Sequence, residues 1–252
     1  MTKGRFQTTV ARLAIVAAVF ALWEVLARTG AVQPRLLPPA SDVFVTVADL
    51  LRSSTVHRHL LVTGAEVAAA FALAAPFGLL VGLVASESRY LGEVLKPFLF
   101  FLFSIPKSIF LPMFILAFGI SFAQKVAFGF VSTCFIVIMS TIAAVESVRE
   151  DHVTVARSFG ATPAQIIARV YLPSMLPIVL EALRIAMIFN FTGVILAEMY
   201  ASREGVGYLI SNWGENFQIR QLLAGVIIVA ALAIGFNEMI RSVESRCGRW
   251  RV

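Results

Sequence analysis

Charged residues are scarce in this sequence. Only 14% of its 252 residues are Asp, Glu, Lys or Arg, whereas 59% are hydrophobic even with glycine left out of the count. Soluble domains carry about 25% charged residues and about 45–50% apolar residues with glycine included. A water-soluble fold would lack the polar surface needed to cover this apolar volume, so the composition indicates a membrane protein.

Cysteine and histidine are also rare. Cys134 and Cys247 provide neither a disulfide framework nor the spacing of metal ligands. His57 and His59 are two residues apart, which places them on different sides of a helix, and His152 stands alone. We therefore expect no metal site. The formal net charge of +6 is typical of basic cytoplasmic loops in a membrane protein rather than of nucleic-acid binding.

Several apolar runs are long enough to cross a bilayer, which takes about 20 helical residues for a hydrocarbon core about 30 Å thick. The predicted spans are residues 8–27, 67–85, 98–120, 126–145, 175–199 and 222–240, and Pro106-Lys107 interrupts the third of them. A cleaved signal peptide is the alternative for the first run. Trp23-Glu24, however, stands where a small-residue cleavage site is expected, so we predict an uncleaved span.

These runs divide the chain into three parts. Residues 1–34 are predicted to form an N-terminal tail and the first transmembrane helix, and residues 62–252 the core, with one long loop at 146–174. Residues 35–61 between them are too polar to span. The sequence from Leu37 to Asp42 predicts the start of a capped amphipathic helix on the periplasmic membrane surface.

The distribution of Lys and Arg orients the six predicted spans. With a cytoplasmic N-terminus, the cytoplasmic segments hold 12 basic residues and the outer segments hold 7. Basic residues are enriched in cytoplasmic loops. Both termini and the loop 146–174 are therefore predicted to be cytoplasmic.

The long loop has the pattern of a helix–glycine–helix hairpin. Asp151–Phe159 has an acidic start, Gly160 is typical of a left-handed cap, and Thr162-Pro163 is typical of a helix start. Leu172-Pro173 is expected to break the second helix. Two interpretations of the apolar side chains stay open, a surface that fills a partner's groove and a surface that packs on its own spans. These side chains are Val153, Ala156, Phe159 and Ile166.

This loop resembles one in the permease subunit of ATP-binding-cassette (ABC) importers. Their motif is Glu-Ala-Ala, three residues, Gly, nine residues, Ile, one residue and Leu-Pro. Here the sequence is Thr154-Val155-Ala156, three residues, Gly160, nine residues, Val170, Tyr171 and Leu172-Pro173. The spacing matches in full, while Thr154 and Val155 depart from the Glu and Ala of the motif.

Other segments resemble the nitrate, sulfonate and taurine branch of these permeases. They are Leu37-Pro38-Pro39, Ile105-Pro106-Lys107, residues 111–116 and 118–120, Ala197-Glu198-Met199, and residues 205–210. The resemblance implies an all-α membrane fold of the type I importer class with about six transmembrane helices and a cytoplasmic coupling helix. It also implies a small anionic solute, such as nitrate, a sulfonate or taurine, or an organic precursor.

The resemblance further implies a multi-subunit assembly in the bacterial inner membrane. Its other members would be a second permease chain forming a homodimer, a cytoplasmic ABC ATPase dimer and a periplasmic solute-binding protein. ATP and Mg would be bound by the ATPase, since this chain has no Gly-Lys dipeptide of a phosphate-binding loop and we predict that it is not itself an enzyme. The residues implied to couple to the ATPase are Val153, Ala156, Phe159, Gly160, Ile166, Val170, Leu172 and Pro173.

A secondary transporter or channel with an independent energy source is the alternative class. Secondary transporters often show internal repeats and intramembrane carboxylates that carry coupling ions. We find no convincing repeat in this sequence, which favours the importer interpretation.

Three polar residues within or beside the apolar runs are candidates for the transport pathway. Lys107 is the tenth residue of the third run, roughly 15 Å along a helix. It would either attract an anionic substrate or bind backbone carbonyls at a kink beside Pro106. Asn190 would line the pathway or bond to another helix. Either Arg184 or Glu198 is expected near the hydrocarbon edge, because the 13 residues between them, about 20 Å of helix, are too few to cross the core alone.

Overall fold

The computed structural model describes residues 2–33, 36–86 and 89–247, which form helices joined by short turns, with no strand. The α-helices are α1 (Thr2–Arg28), α2 (Ala40–Arg52), α3 (Ser54–Ser86), α4 (Arg89–Ser104), α5 (Leu111–Phe118), α6 (Phe122–Glu146), α7 (Glu150–Ser158), α8 (Pro163–Ile166), α9 (Leu172–Tyr200), α10 (Val206–Glu215) and α11 (Ile219–Cys247). A 3₁₀ turn, Lys107–Phe110, precedes α5, and a π turn, Ile167–Tyr171, precedes α9.

The candidate membrane spans confirm the predicted all-α membrane fold. Within the described residues, 5 helices are long and apolar enough to cross a bilayer, and a bent pair of helices would make 6. The straight spans are Val10–Arg28, Ser54–Ser86, Phe122–Glu146, Pro163–Tyr200 and Ile219–Ser242. The second of these begins well before the apolar run that predicted it, because α3 extends through the polar residues that follow α2.

Helix α6 lies at the centre of the bundle, with α3 on one side and α9 on the other. It is the most enclosed of the spans, whereas α1 is exposed along most of its length and contacts α2. An apolar surface such as that of α1 suits contact with lipid. Buried apolar side chains from α3, α6, α9 and α11 form the main core: Val67, Ala70, Val126, Met187, Phe191, Val194 and Ile240.

Two glycines one turn apart set the distance between α3 and α6. A Cβ atom on Gly78 would lie 2.6 Å from Val137 Cβ, and one on Gly82 would lie 2.6 Å from Thr141 Cβ. Real Cβ atoms do not approach this closely. The close-packing face expected of small residues at a four-residue spacing in membrane helices is therefore present here.

The third predicted span, residues 98–120, is broken at Pro106-Lys107, as the sequence indicates. The chain bends by 78° between Tyr90–Ser104 and Lys107–Phe118. Pro106 lacks an N–H group, and its ring disfavours helical geometry at the preceding residue, so the helix stops before it. Lys107 therefore lies at a helix break, and counting residues along a straight helix does not give its depth.

The surface helix α2 forms where it was predicted, but no side chain of its own caps it. Pro39 occupies the cap position and makes no side-chain cap hydrogen bond. The Ser41 backbone N–H and hydroxyl instead donate to the Glu24 carboxylate of α1, at 3.0 and 2.9 Å. Asp42 pairs with Arg220 of α11 at 3.1 Å. The residues predicted to cap α2 thus join it to two neighbouring helices.

The α3–α6 contact predicts opposite effects of alanine at two glycines of α3. Gly82→Ala should lower stability by roughly 1–3 kcal/mol, because its Cβ would overlap Thr141. Gly64→Ala is the matched control, since nothing lies within 4 Å of its added Cβ, and it should raise stability by about 0.5–1 kcal/mol. Thermal unfolding of the purified protein in detergent measures both. A midpoint for Gly82→Ala at or above the wild-type value would contradict the close contact.

Candidate functional site

The loop between α6 and α9 begins with a helix whose ends match its sequence. Glu150 and Asp151 occupy the first turn of α7, where the helix dipole favours negative charge. Phe159 follows the last helical residue, and Gly160 has φ +75°, the left-handed geometry predicted for it. Its backbone N–H donates to the Arg157 carbonyl at 2.9 Å. The chain therefore reverses sharply after α7.

The second helix of the loop also starts as predicted. The Thr162 hydroxyl accepts from the Gln165 backbone N–H, and the Gln165 side chain accepts from the Thr162 N–H at 2.9 Å, while Pro163 occupies the first turn. The predicted break at Leu172-Pro173 is wrong, because the chain passes from the π turn directly into α9. Pro173 lies in the first turn of α9, where its missing N–H is not required.

The apolar side chains of this loop divide into two faces. Val153 and Ile166 are only 7% exposed, and Ala156 and Val170 pack against the same cluster, which also contains residues of α6 and α9. They hold the hairpin to its own spans rather than presenting a surface to a partner. For these side chains the structure matches the second of the two interpretations, packing on the protein's own spans, because the hairpin closes on Ala144, Val148 and Met175.

Phe159 occupies the other face of the loop. Its side chain is 88% exposed, and Val155 on the same helix is 54% exposed. Leu172, at the start of α9, is 52% exposed, and Pro173 is half-buried. In the sequence, Val155 stands where the loop motif has Ala, and the motif gives it no role. Its exposure beside Phe159 places it on the outward apolar surface of α7.

Asn190 joins three helices in the middle of the bundle. Its side chain is fully buried, its Nδ2 donates to the Val67 carbonyl of α3 at 2.8 Å, and its Oδ1 accepts from the Thr133 hydroxyl of α6 at 3.2 Å. This is the interhelical arrangement considered for Asn190. A role in lining the pathway stays a prediction.

Lys107 has the contacts of the kink interpretation. Its Nζ donates to the Phe103 carbonyl at 3.3 Å and lies 4.7 Å from the centroid of the Phe103 ring. That carbonyl belongs to the last turn of α4, which the break beside Pro106 leaves without its helical partners. The ammonium group therefore satisfies backbone that the bend exposes.

Glu198 lies at the end of α9 opposite the loop and is fully buried. Its Oε1 accepts from the Thr63 hydroxyl at 2.6 Å, and its Oε2 accepts from the Gly207 backbone N–H at 2.7 Å. The Val206 N–H in turn donates to the Thr63 hydroxyl at 2.8 Å. The Thr63 hydroxyl and the Glu198 carboxyl group thereby accept the first two N–H groups of α10, where the helix dipole favours negative charge.

Glycine is required where α10 begins, because the backbone touches this carboxyl group. Gly205 has φ +102°, and a Cβ added there would overlap the carboxyl atoms of Glu198. A Cβ on Gly207 would lie 2.6 Å from the Ile195 carbonyl oxygen. The Gly205-Val206-Gly207 segment noted in the sequence thus forms a close cradle for Glu198.

Sequence reasoning missed the other polar groups around Glu198. Glu66 of α3 contacts the Glu198 carboxyl group, and the Lys125 ammonium of α6 interacts electrostatically with both. Glu66 is 1% exposed, Lys125 is 4% exposed and Gln124 is fully buried. The available signal was the position of Glu66 and Lys125, each immediately before an apolar run.

Among residues 2–33, 36–86 and 89–247, no group of three or more His, Cys, Asp or Glu side chains is arranged to hold a metal ion. The positive charge of Lys125, which interacts with both buried glutamates, also disfavours a bound cation beside them.

Most of the chain matches a known family of membrane transport proteins. Residues 74–248 match the family model described as binding-protein-dependent transport system inner membrane component. The chain belongs to this family. It is a membrane-spanning permease subunit of an ABC importer, a non-catalytic subunit that works with an ATPase and a binding protein.

Curated relatives cover nearly the whole permease. The putative aliphatic sulfonates transport permease protein of Bacillus subtilis is 29% identical over 239 residues, covering 95% of this chain and 87% of the relative. The taurine transport system permease protein of Escherichia coli is 28% identical, covering 93% of this chain and 87% of that protein. The formylaminopyrimidine transport permease protein of Halalkalibacterium halodurans is 29% identical, covering 91% of each chain.

Solved structures share the fold. A bacterial ABC transporter involved in the import of the acidic polysaccharide alginate superposes with a TM-score of 0.65 at 14% identity, covering 96% of this permease and 99% of that chain. An amino acid ABC transporter superposes with a TM-score of 0.61 at 18% identity, covering 82% and 96%. The predicted type I importer permease fold is confirmed.

The contacts of Lys107 predict the result of removing its charge. Lys107→Met should retain uptake within about twofold of wild type when normalised to assembled complex, because a half-buried cation that only binds a carbonyl is replaceable by an apolar side chain of similar length. Uptake in proteoliposomes measures this. A loss of tenfold or more in Lys107→Met, together with retention in Lys107→Arg, would instead place the positive charge in the pathway.

Proposed function

We propose that this permease imports a small anionic solute, of the sulfonate or taurine type or an organic precursor, using ATP and Mg bound by a partner ATPase dimer. The names of its relatives support the solute class, since they include transport permeases for aliphatic sulfonates, taurine and formylaminopyrimidine. The resemblance of the segments at residues 105–120 and 197–210 to the nitrate, sulfonate and taurine branch supports the same class.

The exposed Phe159 is the observation that carries the docking of the ATPase on α7. It is an apolar side chain exposed to water at the tip of a loop that is too polar to enter the bilayer. Exposed aromatic side chains on a rigid element are typical anchors of protein interfaces. In this proposal Phe159 and Val155 enter a cleft of the ATPase, with Gly160 and Leu172 beside them.

The buried face of the loop supports mechanical coupling. Val153, Ala156, Ile166 and Val170 fix α7 and α8 to the C-terminal end of α6 and the N-terminal end of α9. A movement imposed on α7 is therefore passed to both spans as a rigid-body tilt instead of being absorbed by a flexible loop.

The assembly proposed around this subunit has two faces in the bacterial inner membrane. Both termini and the loop 146–174 face the cytoplasm, where the ATPase binds. The solute-binding protein approaches the opposite, periplasmic face, which carries α2 and the beginning of α10. A second copy of the permease completes the pathway, and α1 faces the lipid.

Phe159→Ala provides the test of docking. The substitution should weaken association with the ATPase by roughly thirtyfold, as expected for a hot spot worth about 2 kcal/mol, and should lower ATP-dependent taurine uptake in proteoliposomes that also contain the binding protein. Association is measured with purified subunits in detergent. Phe217→Ala is the matched control, since Phe217 is 84% exposed at the other end of the bundle, and it should leave ATPase affinity within twofold of wild type.

Two results would contradict this proposal. If Phe159→Ala binds the ATPase as tightly as Phe217→Ala does, α7 is not the docking element. If the wild-type assembly is driven by ATP but does not take up taurine or an alkanesulfonate, the sulfonate or taurine type of solute is wrong while the docking proposal stands.

The proposed orientation predicts which positions a membrane-impermeant thiol reagent reaches. In a variant with Cys134 and Cys247 replaced by serine, a cysteine at Asn216 should be labelled in cells with a permeable outer membrane and an intact inner membrane. A cysteine at Ser158 should be labelled only after the inner membrane is opened. Both positions are exposed in the structure, so accessibility depends on the side of the membrane. The reverse labelling pattern would invert the topology.

A further inference from the structure

Four helices bring polar groups together at the end of the bundle opposite the coupling loop. Helix α3 contributes Thr63 and Glu66, α6 contributes Lys125, α9 contributes Glu198 and α10 contributes the Gly207 N–H. Each of the four side chains is at most 4% exposed. Burying ionisable groups at such a junction is costly unless they are paired and hydrogen-bonded, so their arrangement needs a physical account.

The hydrogen bonds distinguish the two glutamates. Two carboxyl groups in contact form a hydrogen bond only when one of them carries a proton. Glu198 accepts from the Thr63 hydroxyl and the Gly207 N–H, whereas Glu66 Oε2 accepts from no residue that the structure describes. Two additional donors favour the charged form, so the proposal below takes Glu198 as the carboxylate and Glu66 as the proton donor.

This assignment also balances the charge of the cluster. With one proton between the glutamates, the pair carries a single negative charge, and the Lys125 ammonium that interacts with both supplies one positive charge. Removal of that proton would leave two adjacent carboxylates beside one lysine. Glu204 also interacts with Glu66 from the turn before α10, but it pairs with Arg58 at the surface.

We propose that Glu66 and Glu198 form a proton-bridged latch that positions α10 against α3 and α9 during transport. The latch comprises Thr63, Glu66, Glu198 and the backbone of Val206 and Gly207. Its hydrogen bonds connect α9 to α3 and both of these helices to the first N–H groups of α10. Without them, α10 would be joined to α9 only by the turn of residues 201–205 and by side-chain packing.

The position of the latch relates it to the coupling loop. Helix α6 has 25 residues, which is roughly 37 Å of helix. The loop lies at one end of α6 and α9, and the latch lies at the other. A tilt imposed on α7 therefore displaces the latch end, and the latch causes α3 and α10 to move with α9. This step rests on the ATPase docking proposed above.

Three glutamate variants test the latch. Glu66→Gln keeps a donor toward Glu198, whereas Glu198→Gln removes the charge opposite Lys125 and offers an amide N–H toward other donors. Uptake per ATP hydrolysed should fall roughly tenfold in Glu198→Gln, the scale expected for losing hydrogen bonds to a charged group. Glu66→Gln should retain at least about half of the wild-type uptake per ATP hydrolysed. Glu181→Gln is the matched control, since that glutamate of α9 is exposed and pairs with Arg184.

A second measurement reports on α10 without depending on uptake. Val206 is 1% exposed, so a cysteine there, in a protein with the native cysteines replaced, reacts with a thiol reagent only when α10 separates from α3 and α9. Labelling in purified permease should be at least tenfold faster with Glu198→Gln than with Glu66→Gln. Glu66→Ala, which removes the donor, should label as fast as Glu198→Gln.

The two readouts separate the possible failures. Equal labelling rates for Glu198→Gln and Glu66→Gln, or a reversed order, would overturn the latch even if uptake is normal. If the cysteine at Val206 labels slowly in Glu66→Gln but the wild type shows no ATP-driven uptake, the proposed function is contradicted and the latch is supported. If Glu198→Gln does not fold, Thr63→Val removes one donor without changing charge and should label faster than Thr192→Val, whose hydroxyl bonds only to its own helix.

Discussion

The close approach of α3 to α6 is the contact on which the other features depend. Lipid tails are as apolar as leucine, so helices in a bilayer are held together by close packing and interhelical hydrogen bonds instead of by exclusion from water. Gly78 and Gly82 leave no space for a Cβ atom against Val137 and Thr141. This packing aligns α3 with α6 along their length and brings Thr63 and Glu66 to the beginning of α6, where α9 ends.

The permease has two differently built ends. At one end an apolar cluster fixes α7 and α8 to α6 and α9 and leaves Phe159 exposed. At the other end buried polar groups join α3, α9 and α10. Apolar packing suits the loop of α7 and α8, which transmits movement to the spans in the proposed mechanism, because a close-packed cluster deforms little. Hydrogen bonds between ionisable groups depend on geometry, which suits a junction between moving elements.

Burial of the polar residues follows one rule throughout the bundle. Asn190 bonds to α3 and α6, Lys107 bonds to the carbonyl freed by the helix break, and Glu198 accepts from the Gly207 N–H of α10. Each group satisfies backbone or side-chain partners that hydrocarbon cannot satisfy. The polar residues of the spans therefore contribute first to holding the helices in register.

The sequence by itself determined the features that arise from local chemistry. The apolar runs identify the spans, the acidic start of α7 and the left-handed Gly160 mark its ends, and Thr162-Pro163 begins α8. These follow from hydropathy and from backbone groups within a few residues of one another. The spacing of the loop motif also suffices to recognise the permease family to which the chain belongs.

Only the tertiary structure decided which side chains meet. Val153 and Ile166 point inward and Phe159 is exposed because the loop packs against the ends of α6 and α9. The chain also continues as a helix through Pro173. Thr63 and Glu198 are 135 residues apart in the chain. Nothing local in either segment specifies that the two polar groups share a hydrogen bond, since their proximity follows from the packing of α3, α6 and α9.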